Sequence, residues 1–315
     1  MRKSLCTTLC CVLCLAAAGT ALAKQKETGE TVAIPHTRGT VHVPRSPSRI
    51  VVMDFGMLDT LDSLEAVGAL QRNVKLAVPK TNLPSYLGKY KGDEYADVGG
   101  LKDFNLESIY AFKPELIIIS GRQQDFYEEL SSIAPVWQMN SLPREYLPGV
   151  MRNIRDMGKI FAAEEAVGKA LADMEAAILA VRNAVSEKHF KTLVLLTNDG
   201  KISAYGSGSR FGIIYDALGF EQADPGIKVG IHGQLVNYEY LAEKNPDYIF
   251  VVDRSVAVTG KADGVRILNN ELVNGTKAAR NGHIVSLDPN VWYLSGGGLQ
   301  SLRMMIEEIR LSVEQ

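Results

Sequence analysis

The sequence predicts an α/β protein of two lobes, each with a parallel-rich sheet, joined by one long α-helix. Short apolar runs alternate with helical patterns in both halves of the 315 residues, as expected for strands and crossover helices. One helix-and-strand segment occurs twice, at 105–122 and at 237–254. Between the copies, residues 162–189 are rich in Ala, Glu, Lys and Leu and contain no Pro, which predicts a stiff helix.

These patterns set the expected boundaries. We predict an N-terminal α/β lobe over 39–160, a connecting helix over 161–189 and a C-terminal α/β lobe over 190–315. Both lobes should be Rossmann-like, because "LIIIS" at 116–120 and "DYIFVVD" at 247–253 are continuous apolar runs typical of buried parallel strands. The chain is long enough for each lobe to have a core of its own.

The N-terminus has the pattern of an export signal. Arg2 and Lys3 give a positive start, an apolar run follows, and Ala21-Leu22-Ala23 supplies the small residues of a cleavage site. The apolar run is too short to span a bilayer as a helix. We therefore expect a signal peptide over 1–23, cleaved after Ala23, and a flexible segment over 24–38.

All the cysteines lie inside the predicted signal peptide, at Cys6, Cys10, Cys11 and Cys14. The mature protein would have no disulfide, and none of these cysteines follows the small residues of a lipoprotein cleavage site. We expect a protein of the periplasm of a Gram-negative cell that is not a lipoprotein. The net charge of −2 gives no sign of the basic face that a nucleic-acid binder needs.

The repeated segment reads "NLESIYAFKPELIIISGR" and then "NYEYLAEKNPDYIFVVDR". Four positions match between the copies: Asn105 and Asn237, Glu107 and Glu239, Pro114 and Pro246, and Arg122 and Arg254. Each copy predicts a helix that ends before its Pro and then a buried strand. Each Arg follows the carboxyl end of its strand, where ligands bind in open α/β sheets. We expect each Glu at the opposite end, facing away from its Arg.

The whole pattern resembles the class III periplasmic binding proteins that serve ABC importers of iron–siderophores, haem and vitamin B12. The resemblance runs from Gly39 to the C-terminus and includes "GTVHVPRSPSRIVVMDFGMLDTLDSLEAVG", both repeated units and "NGHIVSLDP". "SGRQ", "YGSGSRFG", "HGQ" and "WYLSGGG" are similar to the group that takes up catecholate siderophores of the enterobactin type. The resemblance implies a monomeric, non-enzymatic receptor without an intrinsic cofactor. It would deliver a ferric siderophore to the permease dimer of an inner-membrane ABC importer.

Arg122, Arg210 and Arg254 are the candidate siderophore-binding residues. A ferric tris-catecholate is a trianion, and a guanidinium is always charged, donates several hydrogen bonds and stacks on aromatic rings. The alternative is an ordinary surface ion pair, for which Asp125 and Asp253 stand near in sequence. The resemblance places all three arginines at the siderophore.

His232 and Tyr293 are the candidate metal ligands. The resemblance implies that these side chains bind Fe(III) directly when a tetradentate bis-catecholate leaves two coordination positions open. Fe(III) is hard and prefers oxygen donors, and imidazole is an acceptable further ligand. A hexadentate siderophore would need neither residue.

Glu107 and Glu239 are the candidate permease-docking residues. Each stands at the start of a predicted helix, where an acidic side chain also stabilises the helix dipole. The resemblance implies that the two glutamates dock onto arginines of the two permease subunits, and a duplicated acid suits a two-fold partner.

Other functions remain open alternatives. The ligand could be haem, cobalamin or another metal chelate. A secreted hydrolase is disfavoured, since "GSGS" at 206–209 lacks the context of a nucleophile elbow and "YLSGGG" is not followed by G-K-[ST]. No two histidines have the HxH or HxxxH spacing of a zinc site.

Overall fold

The computed structural model describes residues 30–70, 73–139, 145–230, 232–260 and 264–314. The predicted signal peptide and residues 24–29 of the segment predicted to be flexible lie outside the described residues. Within the described ranges, no helix has the length and apolar character needed to cross a membrane.

The strands and helices alternate along the chain. The strands are β1 (Thr31–His36), β2 (Gly39–Pro44), β3 (Arg49–Val52), β4 (Lys75–Val78), β5 (Ala96–Asp97), β6 (Leu116–Ile119), β7 (Val136–Gln138), β8 (Lys191–Asn198), β9 (Lys201–Tyr205), β10 (Glu221–Gln222), β11 (Gln234–Val236), β12 (Tyr248–Asp253) and β13 (Ile284–Leu287). The helices are α1 (Phe55–Ala66), α2 (Leu106–Phe112), α3 (Tyr127–Ser131), α4 (Tyr146–Phe161), α5 (Glu164–Ser186), α6 (Ile213–Asp216), α7 (Tyr238–Lys244), α8 (Arg254–Thr259), α9 (Gly264–Leu268), α10 (Glu271–Asn274), α11 (Lys277–Arg280) and α12 (Leu299–Glu314).

An antiparallel hairpin of β1 and β2 precedes the first lobe. The prediction that 24–38 is flexible is wrong for Thr31–His36, which forms β1. The register pairs His36 with Gly39, and Ile34 and Val43 are fully buried. Polar composition suggested flexibility, but alternation and pairing with a neighbouring strand let this segment bury its apolar side chains.

The sheet of the N-terminal lobe is parallel throughout, in the order β5-β4-β3-β6-β7. Its central strand β3 leads directly into α1, and the carboxylate of Asp54 caps that helix. The backbone N–H groups of Gly56 and Met57 donate to Asp54 Oδ1 at 3.0 and 3.1 Å. This places Asp54 at the carboxyl edge of the sheet, which is also where β6 ends.

The sheet of the C-terminal lobe is mixed, in the order β11-β9-β8-β12-β13, with β10 paired to β8. β8, β12 and β13 are parallel, whereas β9 is antiparallel to β8 and to β11. The parallel strands β8 and β12 therefore end at the same edge, and the chain leaves that edge at Asn198 and at Arg254.

The long helix between the lobes is α5, and it is shorter at both ends than the predicted span of 161–189. Ala162 has a left-handed φ of 53° that separates α5 from the preceding helix α4. At the other end, Arg182 donates from Nε and Nη2 to the carbonyls of Ala217 and Asp216 at 2.7 and 2.9 Å. The helix thus starts against α4 of the first lobe and ends against α6 of the second.

One cluster of buried apolar side chains extends through both lobes. It contains Ile50 and Val52 of β3 as well as Val194 and Phe250 of the second sheet. The strand residues that alternate with these point to the other face of each sheet. They belong to two smaller clusters on the outer sides of the sheets. The expectation of one separate core per lobe is therefore wrong, because α12 returns to pack against α1 and α5 and joins the two interiors.

Candidate ligand-binding site

The two repeat arginines follow the ends of β6 and β12, as the sequence predicts. Arg122 lies in a 3₁₀ turn at Gly121–Phe126 that is closed by a capping box of Ser120 and Gln123. Gln123 Nε2 also donates to the carbonyl of Leu101 at 2.6 Å. Arg254 is the first residue of α8, whose cap is the carboxylate of Asp253. Local capping therefore fixes the backbone of both arginines at the sheet edges.

Arg210 comes from the loop between β9 and α6. Asp216 holds this loop from the solvent-exposed side, since its carboxylate accepts from the hydroxyl of Ser207 and from the N–H of Gly208. Gly208 has a φ of +72°, which glycine adopts without strain. The "GSGS" sequence therefore forms a closed turn that presents Arg210.

Tyr293 lies in a π-helical turn at Asn290–Ser295, a type of local structure that is frequent at functional sites. Trp292 Nε1 anchors the turn by donating to Glu308 Oε2 at 2.7 Å. The Ser295 hydroxyl donates back to the carbonyl of Asn290 at 2.9 Å. The turn ends two residues after Tyr293, and the last carbonyls of a helical turn have no partner within it. The backbone carbonyl of Tyr293 can therefore accept hydrogen bonds from side chains of other elements.

The three arginines converge on Tyr293. Arg122 Nη2 and Arg210 Nη2 both donate to its backbone carbonyl, at 3.1 and 2.8 Å. Arg254 Nε donates to its phenol oxygen at 2.7 Å. The guanidinium of Arg210 also lies 4.6 Å from the centre of the Tyr293 ring, within cation–π range. Side chains from both lobes thus meet at one residue.

The site is strongly positive. Burial and the nearby charge of Arg122 both lower the pKa of Arg210. Arg122 faces Asp54, whose Oδ2 lies 3.8 Å from Arg122 Nη1. Burial raises the pKa of the Asp54 carboxyl, while Arg122 opposes that shift. Three guanidiniums meet at Tyr293 with only this carboxylate beside one of them, and such a set is suited to bind an anion.

The partners of Arg122 and Arg254 differ from the acids that stand near them in sequence. The acid beside Arg122 is Asp54 rather than Asp125. Arg254 Nη1 donates to Asn198 Oδ1 at 2.6 Å, whereas the Asp253 carboxylate accepts from the N–H of Ser255. Sequence reasoning missed Asp54 and Asn198, although both stand where a strand ends.

His232 is exposed and lies in the turn before β11. A side chain at the next residue, Gly233, would collide with the ring of Tyr205. Tyr205 in turn is close enough to Arg210 and Tyr293 for their charges to act on its pKa, which burial raises. The turn that carries His232 therefore passes beside Tyr205, but within the described residues no hydrogen bond joins His232 to Tyr293.

Comparison with known proteins gives the family. A family model described as periplasmic binding protein matches residues 57–291 of the chain. The chain belongs to the periplasmic binding protein family. The predicted class III architecture, two α/β lobes joined by a long helix, is confirmed.

Relatives within this family bind siderophores. The chain is 40% identical over 288 residues to the petrobactin-binding protein YclQ of Bacillus subtilis, covering 91% of this chain and 89% of that protein. It is 30% identical over 285 residues to the ferric-anguibactin-binding protein FatB of Vibrio anguillarum, covering 88% and 86%.

Solved structures agree with this assignment. The crystal structure of YclQ has a TM-score of 0.86 and covers 91% of this chain and 99% of its own. The periplasmic catecholate-siderophore binding protein VctP of Vibrio cholerae has a TM-score of 0.81 at 32% identity, covering 90% and 100%. All three of these relatives are binding proteins.

The position of Glu107 in this family member differs from the prediction. Glu107 is exposed in the first turn of α2. The N–H of Asn105, which caps α2, donates to the carbonyl of Val98 at 2.9 Å, just past the carboxyl end of β5. A helix between parallel strands runs antiparallel to them and so begins at their carboxyl edge. The expectation that Glu107 faces away from Arg122 is therefore wrong, since both lie at the same edge.

Strand register gives the same result for Glu239. Val236 pairs with Ile202, which pairs with Thr197, which pairs with Asp253. The start of α7 is thus level with the carboxyl end of β12. Arg254 directly follows that end of β12. Glu239 is exposed in the first turn of that helix. The two glutamates therefore lie at the sheet edges that carry the arginines.

The glycine run of "YLSGGG" has a packing role. A side chain at Gly298 would collide with the carbonyl of Gly56 and the carboxylate of Asp59, both in α1. The N-terminus of α12, where a phosphate loop would hold its anion, is taken by that carboxylate. Asp59 Oδ2 accepts from the N–H of Ser301 at 2.8 Å.

A groove of about 480 Å³ lies between α4, α5 and α6. Its lining is mainly apolar and includes Met151, Ile178 and Ile213. None of the three arginines lines this groove. The charged groups that can recognise an anion are at Tyr293, and we therefore place the ligand site there.

Proposed function

We propose that the protein is a periplasmic receptor that binds a ferric catecholate siderophore between its lobes and delivers it to an inner-membrane ABC importer. The observation that carries the proposal is the convergence of Arg122, Arg210 and Arg254 on Tyr293. The siderophore ligands in the names of YclQ, FatB and VctP support it.

The charge of the site suits an anionic iron complex. Catecholate oxygens spread their negative charge over a planar edge, which matches the planar fork of a guanidinium. The aromatic faces of a catecholate can also stack on the guanidinium groups. Burial and, to a smaller extent, the proximity of Arg122 lower the pKa of Arg210. An incoming trianion would offset the repulsion between the two guanidiniums.

Tyr293 and His232 would complete the coordination of iron in a tetradentate complex. The phenol oxygen of Tyr293 already accepts a hydrogen bond from the cation of Arg254. The same contact would stabilise a phenolate when Fe(III) displaces the phenol proton. His232 would approach from its exposed turn to supply the second donor. A hexadentate complex would fill the iron shell by itself and would rely on the arginines.

Titration of tryptophan fluorescence tests the ligand. Trp292 is buried and adjoins Tyr293 in the chain, so occupancy of the site should quench its emission. We expect tight binding of ferric bis-catecholate and ferric tris-catecholate and weak binding of haem and cobalamin. Tight binding of haem, cobalamin or another chelate, with no response to ferric catecholates, would overturn the substrate assignment. Turnover of an ester or peptide substrate would instead support the hydrolase alternative.

Glu107 and Glu239 are proposed to dock the loaded receptor, acting as a monomer, onto a two-fold permease. Their shared position at the ligand edges of both lobes supports this role, because one flat partner could then cover the cleft and contact both acids.

We further infer export with cleavage after Ala23 and no lipid anchor. Mass measurement of the exported protein tests the cleavage site, and a lipid-modified N-terminus would contradict it.

A further inference from the structure

Asp59 is a buried carboxylate in the middle of α1 that contacts the other end of the chain. Its side chain is fully buried and accepts from the backbone N–H groups of Gln300 and Ser301 at 3.0 and 2.8 Å. The hydroxyl of Tyr86 donates to it at 3.1 Å. A helix is usually capped by the residue just before its first turn. Here the residue before α12 is Gly298, and α1 supplies the cap instead.

Two further contacts surround this cap. The N–H of Leu299 donates to Thr60 Oγ1 at 3.2 Å. The backbones of Gly56 and Gly298 approach so closely that a side chain at either position would collide with the other. Together Asp59, Thr60 and the two glycines form a clasp between α1 of the N-terminal lobe and the start of α12.

The clasp is connected to the ligand site through Ser301. Its hydroxyl donates to the carbonyl of Ser295 at 2.8 Å and accepts from the N–H of Gly298 at 3.0 Å. Ser295 is the last residue of the π-helical turn that carries Tyr293. The hydrogen bonds therefore run from Asp59 through the first turn of α12 to the end of the turn on which all three arginines converge.

We propose that Asp59 is a positioning residue for the ligand site, which holds the Tyr293 turn, and through it Arg122 and Arg210, in register with the N-terminal lobe. The proposal rests on the proposed function for its ligand readout. A carboxylate suits this task because it accepts several backbone N–H bonds at once and interacts favourably with a helix N-terminus. An uncharged amide can accept at one atom only.

Asp59→Asn tests the proposal, together with Thr60→Val as a milder variant of the same clasp. We expect Asp59→Asn to weaken binding of ferric bis-catecholate about tenfold at pH 8, where Asp59 is ionised, as for the loss of one hydrogen bond to a charged group. The control is Val273→Ala, which removes volume from the fully buried outer side of the C-terminal lobe. It should lower the melting temperature and leave the affinity unchanged. If affinity follows melting temperature across all variants, Asp59 has only a structural role.

Hydrogen exchange in the ligand-free protein separates this proposal from the ligand assignment. Asp59→Asn should raise amide exchange in the segment 290–301, whereas Val273→Ala should not. If no ferric catecholate binds but 290–301 loses protection, the proposed function fails and the clasp stands. Unchanged protection of 290–301 in both Asp59→Asn and Thr60→Val would overturn the clasp.

Discussion

Arg122 and Arg210 donate to one and the same oxygen atom, the backbone carbonyl of Tyr293, at 3.1 and 2.8 Å. One arginine belongs to the N-terminal lobe and the other to the C-terminal lobe. Two cations that share one acceptor repel each other, and the neutral carbonyl together with the Asp54 carboxylate beside Arg122 offsets that repulsion only in part. A bound anion would relieve this repulsion between the two guanidiniums.

Replacement of Arg210 should separate binding from stability. We expect Arg210→Gln to weaken binding of ferric tris-catecholate about a hundredfold, because a desolvated charge contact is lost. The melting temperature should stay the same or rise, because the repulsion with Arg122 is removed. Calorimetric titration and thermal unfolding measure both quantities.

The control for Arg210→Gln is Arg310→Gln on the outer surface of α12, where Arg310 pairs with Glu307 and Glu314. It should leave affinity unchanged. A lower melting temperature for Arg210→Gln with unchanged affinity would reverse the interpretation of the site.

Tyr293→Phe and His232→Ala test direct coordination of iron. If both side chains are metal ligands, each variant should weaken binding of a tetradentate bis-catecholate by more than tenfold and affect a hexadentate siderophore much less. Equal losses for the two ligands in both variants would argue against coordination. Tyr293→Phe keeps the carbonyl that accepts from Arg122 and Arg210, so the change reports on the phenol alone.

The clasp carboxylate predicts a pH dependence of stability. Burial raises the pKa of Asp59 from 3.8 to about 7, against opposing hydrogen bonds from Ser301 and Gln300. A carboxyl with a raised pKa binds its proton more tightly when folded, and the free energy of unfolding therefore falls as pH rises from 4 to 7. The shift corresponds to about 4 kcal/mol across that window.

Urea unfolding of the wild type and Asp59→Asn at several pH values measures this term. The difference in unfolding free energy, wild type minus variant, should decrease steadily between pH 4 and 7 and level off above pH 7. A constant difference over this range would show that Asp59 keeps the same ionisation in the folded and unfolded chains.

Charge reversal at Glu107 and Glu239 tests docking. Glu107→Lys and Glu239→Lys should each leave siderophore affinity within about twofold and should reduce uptake by the importer strongly. In the part of the chain that the structure describes, no hydrogen bond or ion pair joins either glutamate to the three arginines. The matched control is Glu243→Lys in the last turn of α7, where Glu243 is exposed and pairs only with Lys244 in the described residues. Loss of uptake in the control as well would make the effect one of surface charge in general.

Local features of the fold were predictable because their causes lie close together in sequence. In the repeat, Asn105 and Asn237 each cap their helix by accepting from the N–H three residues on, at 2.9 Å in both copies. The helices end at left-handed Lys113 and Asn245 just before the prolines. The positions of Arg122 and Arg254 at the strand ends follow directly from this local pattern.

Long-range features were not predictable from pattern. Every residue has a backbone carbonyl, so nothing in the sequence marks that of Tyr293. It nevertheless accepts hydrogen bonds from two of the arginines. Asp59 sits in a helix whose first seven residues are all buried, and only the return of α12 makes it a cap. The orientation of Glu107 required the direction of the crossover helix, which the repeat itself does not specify.

The return of α12 to α1 also determines when the N-terminal lobe can finish folding. The last helix, Leu299–Glu314, supplies Leu302, Ile306 and Ile309 to the interior shared by both lobes. A chain that emerges N-terminus first cannot close its first lobe until its final residues have appeared. Folding of the first lobe would therefore finish only after α12 has been made and has crossed any membrane on its way, and a chain that lacks the last turns of α12 should be removed by proteases.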